Sequence, residues 1–122
     1  MKIIVLFLFL FAIGVQAQSN PYVVETGNDL LRGFQACDDA KTAPNESSLV
    51  FAESYCHQAE GYILGAASVI FATAPAKFDV GGVSNKQIYD VVRKYLVDHP
   101  ETRQKPSCVL ILGALEEAWG KK

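Results

Sequence analysis

The sequence predicts an all-α protein: a small single-domain helical bundle of about four main helices, with one long central helix. Three observations predict it. Apolar residues recur at threes and fours in four separate stretches, the spacing of one helix face. Capping signals and prolines punctuate those stretches. No apolar–polar alternation of the kind that marks a half-buried strand rises above the helical stripes. The roughly hundred residues that follow the leader described next suffice for one core and not for two. No internal repeat, linker or low-complexity tract divides them.

The leader comes first. Met1-Lys2 gives a positive start, residues 3–15 (IIVLFLFLFAIGV) are unbroken apolar, and Val15-Gln16-Ala17 ends on a small residue. That order of charge, apolar core and small-residue site predicts a secretory signal peptide over residues 1–17, cleaved after Ala17, with the domain at 18–122. The run is shorter than the ~20 apolar residues of a spanning helix, so no membrane insertion is expected after cleavage. The expected location is periplasmic or secreted. Lys2 is the one basic residue of the leader, so the 11 Lys+Arg of the chain fall to 10 against 13 Asp+Glu, a formal charge of −3. A mildly acidic chain lacks the basic stripe that nucleic-acid binding needs, so no nucleic acid is expected among its partners.

Residues 18–25 (QSNPYVVE) read as an extended arm. Thr26-Gly27-Asn28-Asp29 resembles a capping box, with Leu30, Leu31, Phe34 and Cys37 as the stripe of a first helix. It fades at residues 38–41, and Pro44 lies in the loop beyond. Ser47 or Ser48 is expected to cap a second helix over roughly 48–73, about 38 Å long at 1.5 Å per residue. Phe51, Tyr55, Cys56, Ala59, Tyr62, Ile63, Ala66, Ile70 and Phe71 form its stripe, and residues 61–76 carry no charge. Gly61 and Gly65 lie four apart on one face. Helix-interior glycines cost about 1 kcal/mol each relative to Ala, so they are expected where another backbone comes close, inside the monomer rather than at a dimer seam.

Residues 74–83 (APAKFDVGGV) form a loop. Ser84 and Gln87 make a second capping box ahead of the cleanest stripe, Ile88, Val91, Val92, Tyr95 and Leu96. His99-Pro100 stops that helix. Residues 101–106 are polar, and Cys108, Ile111, Leu112, Leu115 and Trp119 mark the last helix up to Gly120. The core is expected where the stripes of the last three helices meet, Leu112 included.

Catalytic and metal chemistry find little support. Cys56 and His57 are adjacent in a helix and point about 100° apart, so they do not form a nucleophile–base pair. Glu116-Glu117 reads as a solvated helix face, and no Gly-rich phosphate loop stands in the right context. There is no CxxC, HExxH or Cys/His cluster at metal spacing, so neither a metal nor a cofactor is expected, and no enzymatic activity. Asn45-Glu46-Ser47 is formally a glycosylation acceptor. Three cysteines follow the leader, and an odd number leaves one free or paired between chains.

Several fragments, read in order, resemble one family. They are Thr26-Gly27-Asn28-Asp29-Leu30-Leu31 with Cys37, then Cys56 with Gly61-Tyr62-Ile63-x-Gly65, then Val83-Ser84-Asn85-Lys86-Gln87. Val91-Val92-Arg93-Lys94-Tyr95-Leu96-x-x-His99-Pro100-Glu101 and Leu110-x-x-x-Ala114-Leu115-x-x-Ala118-Trp119 complete the set. Nearly the whole exported chain is covered. The pattern is similar to the Rap/Tai family of type VI secretion immunity proteins. The resemblance implies a small periplasmic helical protein that binds and blocks an injected peptidoglycan-cleaving amidase and does no chemistry itself. It also implies a possible homodimer, since some members act as homodimers that push a loop into the amidase groove. Family members often carry a second cysteine pair, before the Val-Ser-x-x-Gln helix and at the C-terminal end. Here those places read Phe78-Asp79-Val80 and Trp119-Gly120-Lys121, without Cys.

Cys37 and Cys56 lie on the apolar sides of consecutive helices joined by a short loop, which usually pack antiparallel, and so are expected to form a disulfide. Closing a loop of about twenty residues contributes roughly 3 kcal/mol. Cys108 is left as a free, inert hydrophobe on the buried stripe of the last helix.

Two function classes follow: an inhibitor of a secreted amidase effector, favoured on resemblance, and a periplasmic carrier of a small apolar ligand. A catalytic groove must be filled by something narrow and projecting, which points to loops. Residues 74–83 offer Lys77, Phe78 and Asp79, an aromatic anchor between opposite charges at an expected tip. Residues 99–106 offer His99, Glu101 and Arg103, all polar.

Overall fold

The computed structural model describes residues 24–122. The expected signal peptide, residues 1–17, and residues 18–23 of the arm lie outside the described residues. Four helices follow in order: α1 (Gly27–Ala40), α2 (Glu46–Thr73), α3 (Asn85–Asp98) and α4 (Ser107–Trp119), with 3-10 turns at Pro75–Lys77 and Pro100–Thr102. The all-α bundle with one long helix is as the sequence predicts.

Each start has a local cause. Asp29 accepts from the Thr26 backbone N–H at 2.8 Å and from its hydroxyl at 3.0 Å, closing the first capping box. At the second, the Gln87 side chain accepts from the Ser84 N–H at 2.8 Å, and the Ser84 hydroxyl accepts from the Gln87 N–H at 3.3 Å. The cap of α2 is Asn45 rather than Ser47 or Ser48, its side-chain oxygen accepting from the Ser48 N–H at 2.9 Å. The helix starts two residues early because Asn caps at least as well as Ser.

α1 and α2 pack antiparallel and close together. A Cβ built on Gly33 would stand 2.1 Å from the Ala59 Cβ, so only glycine lets the helices approach this far. One turn away, Cys37 and Cys56 are disulfide-bonded across a 4.7 Å Cα–Cα separation. α3 and α4 close the other side of the bundle. Leu30, Phe34, Ile63, Val92, Leu96, Leu110, Ile111 and Leu115 form its centre.

Several expected core residues lie elsewhere. Phe51 is 62 % exposed, and Tyr62 and Leu112 are each 37 % exposed. The buried face of α4 is Ser107, Leu110, Ile111, Ala114 and Leu115. Cys108 and Leu112 stand on its flank, so Cys108 is free as expected but exposed rather than buried. α2 is apolar most of the way round, and three shorter helices cover only part of it. Among the described residues nothing stands within 4 Å of a Cβ built on Gly61 or Gly65, so the two glycines serve no close packing between the described helices.

Candidate functional site

The loop of residues 74–83 is fixed by its aromatic. Phe78 is 4 % exposed and meets the Phe71 ring edge-on, 5.3 Å between centroids. It is a core residue, which corrects its reading as an anchor at the loop tip. The reason is local: the 3-10 turn at Pro75–Lys77 directs the next residue inward, where burial of an aromatic ring is favourable. The backbone around it is clamped by the chain's end. Asp79 N–H donates to the Trp119 carbonyl at 2.9 Å, and Lys121 N–H to the Lys77 carbonyl at 2.8 Å. Lys77 and Asp79 stay exposed on either side of the inward ring. Gly82, at φ 77°, supplies the left-handed residue that turns the chain toward α3. Phe78 and Gly120, which lie in the two segments where the resemblance leads one to expect a second cysteine pair, face each other as an antiparallel bridge pair.

The loop of residues 99–106 is fixed by a guanidinium. Arg103 Nε donates to the Leu96 carbonyl at 2.6 Å and a terminal nitrogen to the Val97 carbonyl at 3.3 Å. These are carbonyls at the end of α3, which the helix itself leaves without donors. Arg103 is therefore committed to closing a helix end. Its own carbonyl accepts from Asn28 N–H at 3.1 Å, and Ser107 N–H donates to the Glu25 carbonyl at 2.8 Å, so the loop rests on the start of α1. His99 is half-buried, stacked on Tyr95 at 4.2 Å, with Nδ1 2.9 Å from the Tyr95 carbonyl and Nε2 4.0 Å from a Glu117 carboxylate oxygen. Glu101 is exposed. The two candidate loops are thus anchored on different parts of the chain and do not build one cluster.

Two grooves accompany the loops. A polar one between α1 and α3 holds Arg32, Arg93 and Arg103. Each is engaged: Arg32 with Asp29, Arg93 with Asp38, Arg103 with the α3 carbonyls. Arg93 and Lys41 together hold the Asp38 carboxyl at about 2, below its ordinary value. The other groove, between α2 and α4, is apolar, about 610 Å³, and includes Tyr62, Gly65, Val69, Cys108 and Leu112. Burial, and then the neighbouring Cys108, push the Tyr62 hydroxyl up. Sequence reasoning missed this surface. The sequence signals for it are the uncharged run 61–76 and the glycine pair, of which the pair is expected inside the monomer. Cys37, Cys56 and Glu60 have ligand atoms within 4.8 Å of one another, but both sulfurs are spent in the disulfide.

The family model described as Rap1a immunity proteins matches residues 26–120. The chain belongs to that family. The match to the Rap1a immunity proteins begins at Thr26, which bridges to Pro106, and ends at Gly120, which bridges to Phe78. It therefore takes in both candidate loops and the residues that hold them. No curated protein and no solved structure matches the chain. Among the described residues of this Rap1a family member, no helix is long and apolar enough to cross a membrane.

Proposed function

We propose that this immunity protein acts in the periplasm, where it binds and blocks a peptidoglycan-cleaving amidase delivered by type VI secretion. The observation that carries the reading is the family match over residues 26–120. Within the domain, we place the main contact on the loop of residues 74–83. Lys77 and Asp79 are exposed while Phe78 holds the backbone between them, so two opposite charges are presented on an ordered loop. Preorganisation of this kind lowers the ordering cost of binding. Glu101 and the half-buried His99 form the secondary polar contact. Arg103 contributes by holding that loop in place.

The test is co-production with a periplasm-directed amidase encoded beside this gene. The chain should suppress lysis and bind the purified amidase. Lys77→Ala and Asp79→Ala should each weaken binding about tenfold, a change of 1.4 kcal/mol, at unchanged thermal stability. Wild-type affinity in both variants removes this loop from the interface. Continued lysis in the presence of soluble, folded protein removes the amidase as target.

The α2/α4 groove favours a second reading, a carrier of a small apolar ligand. Pockets for such ligands bury most of the ligand surface. Here no described residue comes within 4 Å of a Cβ built on Gly61 or Gly65, so among the described residues the groove is a trough rather than a cavity. Recovery of a stoichiometric lipid from the purified protein would favour the carrier.

A further inference from the structure

The groove between α1 and α3, about 800 Å³, joins an apolar strip to a set of guanidiniums. Leu31, Phe34 and Val97 make the strip. Phe34 is buried beneath, while Val97 is 55 % exposed, so part of the strip meets water. Arg32, Arg93 and Arg103 stand around it, and the other lining residues are neutral amides. Among the described residues no Asp or Glu lines the groove, although the chain carries 13 of them.

The two ends differ in charge. At one, Arg93 lies over the Phe34 ring, 5.7 Å from its centroid, and pairs with Asp38 at 2.6 Å, which cancels its charge. Gln35, at the same end, donates to Asp39 at 2.9 Å. At the other end, the Asn28 N–H meets the Arg103 carbonyl, and the Arg103 guanidinium is bonded to carbonyls of α3. Carbonyl bonds fix that guanidinium without cancelling its charge. Arg32 stands one turn from Asn28 and gives one terminal nitrogen to Asp29. Its side chain is 67 % exposed, and a guanidinium has five N–H donors, so it keeps several for a partner. Two guanidiniums against one carboxylate leave this end positive.

That arrangement selects its occupant. From Asn28 to Gln35 the groove runs about 10 Å at the helical rise. Three residues of extended chain span about the same length. One uncancelled cation is too few for a nucleic acid, whose binding neutralises a row of phosphates. A flat bilayer surface cannot follow a recess between two helices. A peptide can lay an apolar side chain on the strip and turn a carboxylate to a guanidinium, the pairing for which Arg geometry is suited. We infer that the α1/α3 groove docks a short acidic segment of a partner protein, with one apolar side chain on Leu31, Phe34 and Val97 and a neighbouring carboxylate between Arg32 and Arg103. The groove shares no lining residue with the loop of residues 74–83, and its test needs no amidase.

The probe is an array of short synthetic peptides. Each carries one Phe or Leu and, one or two residues away, Asp, Asn or Lys. The protein should bind the Asp peptides about tenfold more tightly than their Asn counterparts, with the Lys peptides weakest. The preference should shrink as salt rises. Val97→Asp puts a carboxylate on the strip. Arg32→Ala removes the exposed guanidinium while Asp29 keeps its bonds to Thr26. Both positions are exposed, so neither change empties the core. Each should weaken binding of the Asp peptides about tenfold at an unchanged thermal midpoint. Equal binding of Asp and Asn peptides overturns the proposal, as does no binding, or binding that both variants retain. So does a wild-type homodimer that Val97→Asp dissolves in sedimentation, which would make the groove an interface between copies.

Discussion

The two long connections, residues 74–83 and 99–106, look alike in outline and differ in what fastens them. Each contains a proline-led 3-10 turn, and each is bridged to a remote end of the domain. The first is pinned by an aromatic ring sunk into the core, the second by a guanidinium spread over the carbonyls at the end of α3. An apolar pin leaves its charged neighbours free to face a partner. A polar pin uses up the most capable charged side chain of its loop. The contrast explains why residues 74–83, the less charged of the two segments, leave both of their charged side chains exposed while residues 99–106 draw Arg103 inward.

The comparison is broken most forcefully at Phe78. Phe78→Ala should cost about 3–5 kcal/mol in urea denaturation, the range for emptying a closed aromatic site. A loss under about 1 kcal/mol would mean that the backbone clamp, not the ring, holds the first loop. Arg103→Ala comes next, at roughly 1–3 kcal/mol, because part-buried carbonyls lose charge-assisted donors. Arg103→Lys should recover only part, since an ammonium cannot reproduce the fork. Full recovery would show that charge alone fastens the second loop. The Asp38–Arg93 pair between α1 and α3 sharpens the low end of the scale, being an ionic fastening near the surface, with Arg93 exposed and Asp38 half-buried. Its carboxyl titrates at about 2 rather than 3.8. A lowered pKa means the pair stabilises the fold above the ordinary value and fades as pH falls through about 2. Carboxyl NMR should find that midpoint, and Arg93→Gln should return it toward 3.8. Of the three changes, this one should affect stability least.

Much of the fold was legible because its signals are local. Both capping boxes, the stop at His99-Pro100 and the pairing of Cys37 with Cys56 follow from residues a few positions apart or on neighbouring helices. The site was less legible, because which way a residue faces is a tertiary decision. Phe78 sits among Lys, Asp and glycines, the composition of a solvated tip, and only the packing of Phe71 and the C-terminal residues draws it inward. The periodicity of α2 is weak, since apolar residues occupy most of its circumference. Nothing in that pattern says whether Phe51 or Ile63 meets the core. Cys108 and Leu112 lie part of a helical turn away from the buried face of α4, a small angle that moves a side chain from interior to solvent.

The bridge between Phe78 and Gly120 has a bearing on redox conditions. The clasp of α1 on α2 is a disulfide and can be opened by any sufficiently strong thiol reductant. The closure of residues 74–83 onto the C-terminal end rests on two amide–carbonyl bonds and a buried ring, none of which exchanges electrons. One side of the molecule thus depends on oxidising conditions while the other is indifferent to them. Lys77 and Asp79 belong to the indifferent side. The surface they present should keep its shape through a reductive episode that loosens α1.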